Sequence, residues 1–110
     1  MGVVMDKPKR ILGNVGTKLV LENDRVRVWE LDLEPGAKSD VHRHDLDYLL
    51  IQIEGDRIAA VPEPDSGGKY TEYIEVQAQP GKVSYLTRGG IETAVNTGQR
   101  RYREILIELK

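Results

Sequence analysis

The sequence predicts an all-β protein built as a small antiparallel barrel, and three observations predict it. Short apolar or alternating runs recur at near-regular spacing along the 110 residues. Turn signals of Gly, Pro, Asn and Asp separate them. No window sustains a helical period beyond two turns. About eight to ten short strands punctuated in this way argue for a sandwich or closed barrel, not an alternating α/β fold. Closure also removes exposed sheet edges. No tandem repeat of fixed period is present.

Residues 1–18 read as an arm, with Gly2, Pro8, Gly13 and Gly16 and no sustained period. Residues 19–110 read as a single barrel domain. Leu19 to Leu21 is a short apolar run closed by the turn signal Glu22-Asn23-Asp24. Arg25 to Leu33 alternates, with Trp29, Leu31 and Leu33 on one face and Val26 and Val28 on the other, until Pro35-Gly36 stops it. Val41 to His44 is a brief extended segment, and 45–47 a bend. Tyr48 to Ile53 is rich in β-formers and ends at Gly55-Asp56, across which Arg57 to Val61 is expected to pair back as a hairpin. A loop of Pro, Asp, Ser and Gly fills 62–68, and Tyr70 to Val76 is the next strand. Val83 to Leu86 follows the Pro80-Gly81 turn. Thr93 to Asn96 is extended after Arg88-Gly89-Gly90. Tyr102 to Leu109 alternates, with Ile105, Ile107 and Leu109 opposite Leu106.

Composition narrows the function classes. The formal charge is −2 with both signs interspersed, and the basic runs Lys7-Pro8-Lys9-Arg10 and Arg100-Arg101 are short, so no nucleic-acid partner is expected. With no cysteine, disulfides, thiolate metal sites and a cysteine nucleophile are excluded, and a reducing cytoplasm fits. The first twelve residues lack the apolar core of a signal peptide. No stretch approaches the roughly 20 apolar residues of a membrane helix, so no membrane partner is expected either. No nucleophile elbow or phosphate loop occurs.

The only histidines are His42 and His44. On a strand, i and i+2 point to one face, so two imidazoles can converge on one metal ion. The alternative is a pair of histidines on a solvated strand. Gln52 shares the parity of Tyr48 and is a candidate ligand contact in the interior. Asp45 and Asp47 read as turn formers, with a hydrogen bond to an imidazole as the other option.

The glycines around these histidines extend the pattern. Gly36 lies six residues before His42 and Gly55 eleven after His44. Gly81, Gly89 and Asn96 mark a second stretch. These intervals resemble the two motifs of the cupins, G-x5-H-x-H-x3-E-x6-G and G-x5-P-x-G-x2-H-x3-N. The resemblance runs from about Arg25 to Leu109. It implies a cupin, jelly-roll-like barrel of the small bacterial single-domain kind. Three positions depart: Tyr48 stands at the family's Glu, Thr87 at its Pro and Glu92 at its third His. Carried over, the metal ligands are His42, His44 and Glu92, with Tyr48 beside them.

Two imidazoles and one carboxylate form a facial triad with open positions, suited to Fe(II) and tolerant of Mn, Ni or Zn. Tyr48, an unperturbed phenol at neutral pH, is a poor ligand and fits better as a catalytic and ligand-binding hydrogen-bond donor. Asn96 fits a turn tie. The resemblance implies a small-molecule ligand and a divalent metal cofactor, and leaves two functions open. One is a metal-dependent enzyme of oxygenase or lyase type. The other is a non-catalytic ligand-binding or sensor protein whose metal site is weak or degenerate, with Glu92 turned away. A homodimer is expected as well, because Val3, Val4, Ile11 and Leu12 make the arm apolar and small cupins often exchange such a segment.

Overall fold

The computed structural model describes residues 10–110. Nine strands and no helix occur among the described residues: β1 Lys18–Glu22, β2 Val26–Leu33, β3 His42–Arg43, β4 Tyr48–Glu54, β5 Arg57–Pro62, β6 Ile74–Gln77, β7 Val83–Leu86, β8 Ile91–Val95 and β9 Tyr102–Leu109. They form a five-stranded sheet, β1-β2-β9-β4-β7, and a four-stranded sheet, β3-β8-β5-β6. All pairings are antiparallel. No helix among these residues is long and apolar enough to cross a membrane.

The two sheets face each other, and period-2 alternation decides which side chains fill the space between them. On β2, Leu31 and Leu33 are buried. On β9 the buried set is Tyr102, Glu104, Leu106 and Glu108, while Ile105, Ile107 and Leu109 face outward and are half-buried. The more apolar face of β9 therefore turns away from the interior. Leu31, Leu33, Tyr48, Ile58, Ala78, Tyr102 and Leu106 make up the core cluster.

The arm is tied to the barrel over its described part. Gly13 N–H donates to Val41 O, Arg10 pairs with Glu63 and Asp65, and Val15 is buried. The remainder of the arm, including Val3 and Val4, lies outside the described residues. β6 starts later than the sequence predicts. Tyr70 instead sits in the loop, where its hydroxyl meets Thr87.

The hairpin expected across Gly55-Asp56 does not form. β4 is paired on both edges, by β7 and β9, so β5 has no edge to join and crosses to the other sheet, between β6 and β8. Two contacts hold the crossing. Asp56 accepts from the Gln99 and Arg100 backbone N–H groups as well as from Arg57 N–H, tying the start of β5 to a distant turn. Gly55 has φ 129°, and a Cβ there would lie 2.8 Å from the Tyr102 ring. Gly55→Ala is therefore expected to lower stability by about 1–3 kcal/mol from backbone strain, with the ring clash added. The urea midpoint of the variant measures it, and an unchanged midpoint would contradict the account.

Candidate metal centre and interior cavity

A cross-strand pair builds the centre. β3 runs antiparallel to β8 with His42 opposite Glu92 and Arg43 opposite Ile91. Backbone bonds continue the ladder past the strand end: His44 N–H donates to Gly90 O and Gly89 N–H to His44 O. The two-residue period then brings His44 to the same side as His42. Both histidines are buried, and Glu92 is half-buried.

The ligand-type atoms of His42, His44 and Glu92 all lie within 4.8 Å of one another. His44 Nε2 is 3.2 Å from Glu92 Oε1. The His42 and His44 rings meet edge-on, centroids 4.8 Å apart, and His44 stacks on Tyr48 at 4.2 Å. His42 Nδ1 is 2.8 Å from Asp40 O, so the Nδ1–H tautomer donates to that carbonyl and leaves Nε2 free to coordinate. His44 Nδ1 is buried with no partner among the described residues.

Electrostatics agree with a cation site. Burial, helped by His44, lowers the His42 pKa from its ordinary value of 6.5, so the ring stays a neutral ligand. Burial works to raise Glu92, but the His44 hydrogen bond and the two imidazoles outweigh it and hold the carboxyl below its ordinary value. Ion–ligand bonds of about 2.1 Å place ligand atoms roughly 3.0–3.5 Å apart. The His44–Glu92 separation of 3.2 Å already lies in that range. The donor set fits a divalent first-row ion.

The centre opens on a cavity of about 510 Å³ between the sheets. Aliphatic side chains dominate its wall, among them Leu31, Leu50, Ile58, Val76, Ala94 and Leu106. Tyr48 and Gln52 line it as their shared parity predicts. Burial, with Glu92 and Glu104 nearby, raises the Tyr48 pKa far above 10, so it stays a phenol. No protein partner meets its hydroxyl among the described residues. Gln52 is largely committed: Oε1 accepts from Gln79 N–H at 2.8 Å and Nε2 donates to the Tyr102 hydroxyl at 3.2 Å.

The flanking residues divide as follows. Asp45 pairs with Arg43, and Asp47 accepts from Arg88 N–H and the Tyr85 hydroxyl, so both serve the surface and neither touches an imidazole. Asn96 is a turn tie: Nδ2 donates to Leu33 O and Arg100 O, and Oδ1 accepts from Gly98 N–H. Glu104, which the sequence reading passed over, lines the cavity and is buried. Burial pushes it up to about 7, against the lowering effect of its Tyr102 hydrogen bond. Its shared parity with Tyr102 and Leu106 was the available signal.

No protein-family model matches the sequence, and no curated protein matches it. Solved structures do. A cupin domain from Bordetella pertussis Tohama I matches with a TM-score of 0.73 at 20% identity, over 94% of this chain and 99% of that one. The fold is a cupin barrel. A cupin superfamily protein from Desulfitobacterium hafniense DCB-2 matches at TM-score 0.60 and 16% identity, over 93% and 83% of the two chains. A polyketide cyclase from Streptomyces resistomycificus matches at TM-score 0.56 and 21% identity, over 79% of this chain but 56% of its own. At such identities the likeness establishes the fold, and the chemistry has to come from the site.

Proposed function

We propose that this cupin barrel binds a small organic molecule in its interior beside a divalent metal ion, and acts on it as an oxygenase or lyase. The observation that carries the reading is the convergence of His42, His44 and Glu92 on one edge of a mostly apolar cavity. A bound Fe, Mn, Ni or Zn ion would supply Lewis acidity and open coordination positions. The chain's own residues do the rest. Asp40 O fixes the His42 tautomer, and the aliphatic wall excludes water. The Tyr48 phenol donates a hydrogen bond to the ligand. Enzymes occur on this fold, the Streptomyces polyketide cyclase among them.

One observation favours a non-catalytic ligand-binding or sensor protein instead. The His44–Glu92 hydrogen bond already pairs an imidazole nitrogen with a carboxylate oxygen without an ion. Elemental analysis of protein purified without a metal-affinity tag separates the two. Near-stoichiometric metal supports the enzyme. No metal, and none taken up on addition, gives the binding reading. The absence of cysteine fits a reducing cytoplasm, where we place the protein.

We also propose a homodimer through the outer face of the five-stranded sheet. Leu21, Val28, Ile107, Leu49 and Tyr85 stand in register across β1, β2, β9, β4 and β7. Leu21 is 52% and Tyr85 58% exposed, so an unbroken apolar row faces outward. Sedimentation is expected to give a dimer at micromolar concentration, and Val28→Glu with Ile107→Glu a monomer. A monomer from the parent chain would refute the assignment.

A further inference from the structure

Glu104 stands in the cavity wall with no part in the metal centre proposed above. It is 5% exposed and occupies the inner row Leu31–Glu104–Gln52 of the five-stranded sheet. Its Oε1 accepts from the Tyr102 hydroxyl at 2.7 Å. That hydroxyl is held in turn by Gln52, and Gln52 by the Gln79 backbone. Every donor in this chain points toward Glu104, and the single Tyr102 proton is used on Oε1. No donor meets Oε2 among the described residues. Glu108, further along the same face, is the contrast: it takes the Trp29 indole N–H at 2.6 Å and lies 3.6 Å from Arg27. A buried carboxyl with one unserved oxygen in an open cavity is a group arranged for a ligand.

The charges around it define that ligand. The cavity wall carries two carboxyls, Glu92 and Glu104, and the one cation among its lining residues is Lys82, which is exposed. With no metal bound, an anionic ligand would set its charge beside Glu92 and among aliphatic side chains, with no basic side chain buried among the described lining residues to meet it, which is costly. We infer that the cavity selects an uncharged, largely apolar molecule bearing a carbonyl or hydroxyl, and that Glu104 is the group that meets this oxygen. The inference rests on the proposed binding of a small molecule in this cavity and specifies its class. Burial supports it, because a carboxyl raised to about 7 retains a proton that Oε2 can donate to a neutral acceptor.

The test uses the full chain after dialysis against a chelator, so that no metal attracts the anionic probe. Acetophenone and benzoate, a ketone and a carboxylate on the same ring, are titrated by calorimetry. The parent is expected to bind acetophenone about tenfold more tightly than benzoate. At pH 6, where Glu104 keeps its proton, Glu104→Gln keeps the shape and a donor, so acetophenone affinity and the preference both hold. Glu104→Leu is the second variant, since an apolar side chain suits a buried site. It loses the hydrogen bond, and acetophenone affinity drops by about tenfold. Stabilisation by added metal is expected to survive in both variants. Benzoate binding as tightly as acetophenone in the parent overturns the inference while leaving a ligand cavity. Acetophenone affinity unchanged in Glu104→Leu overturns the role of Glu104. Failure of both probes to bind the parent overturns the cavity reading itself.

Discussion

Adding a first-row divalent metal to the metal-free protein, at 100 times its dissociation constant, is expected to stabilise the fold by about 2.7 kcal/mol. For a domain of this size that is a rise in melting temperature of roughly 10 °C. His42→Ala abolishes the rise, because it removes the ligand whose tautomer Asp40 O fixes. Glu92→Gln weakens it strongly, because it keeps the length of the side chain but removes the anion. Tyr48→Phe leaves it nearly intact, since the phenol is held far from ionisation and its proposed partner is the organic ligand. The pH dependence has a definite sign. Protons compete for the imidazoles, so the rise shrinks with falling pH. His42 is lowered below its ordinary 6.5, so in the folded protein the competition sets in below that pH. Thermal unfolding with and without metal across pH 5–8 checks each statement. If Glu92→Gln retains the full rise, Glu92 is not a ligand and the non-catalytic reading moves ahead.

Much of this architecture is local and so is visible in the sequence. The spans of β7 and β9 coincide with the periodic runs, because turn residues bound both. The glycines of the cupin spacing, Gly36, Gly55, Gly81 and Gly89, all hold φ between 81° and 129°. Side chains rarely adopt that region, which gives those intervals a backbone cause. The His42–Glu92 pairing is legible for a related reason: the spacing of two motifs encodes the register of β3 on β8. What escaped is non-local. Gly55-Asp56 carries hairpin chemistry, and only the occupation of both edges of β4 by distant strands forbids the hairpin. Alternation in β9 divides its residues into two faces, but it does not say which face is inside. The interior took the set holding Glu104 and Glu108, because Tyr102 and Trp29 supply buried donors to them. The aliphatic set, Ile105, Ile107 and Leu109, went to the outer face, where a second copy would cover it.

Glu104→Gln is expected to be more stable than the parent at pH 8, by roughly 3 kcal/mol, and no more stable near pH 4. The ordinary carboxyl value is 4.5, and burial raises Glu104 to about 7 in the folded chain. Below 4.5 both states hold the proton and the buried group is neutral. Between 4.5 and 7 the unfolded chain has released it and the folded chain has not, so stability falls as pH rises through this window. Above 7 the folded protein carries a buried anion with one hydrogen bond, and the full cost is present. Two groups of the proposed metal centre act with the opposite sign. His42 and Glu92 are both lowered on folding, so each loses stability as pH falls, His42 through 6.5 and Glu92 through 4.5. The parent's own pH profile mixes these with the surface carboxylates that folding lowers, Asp32, Asp47 and Asp56 among them, and only the difference between parent and variant isolates Glu104. The amide still accepts the Tyr102 hydroxyl and places its N–H groups where Oε2 faces the cavity, so packing changes little. Urea midpoints measured from pH 4 to 8 give that difference. A difference that stays flat across the range would mean that Glu104 folds already ionised, and that the cavity is anionic at every working pH.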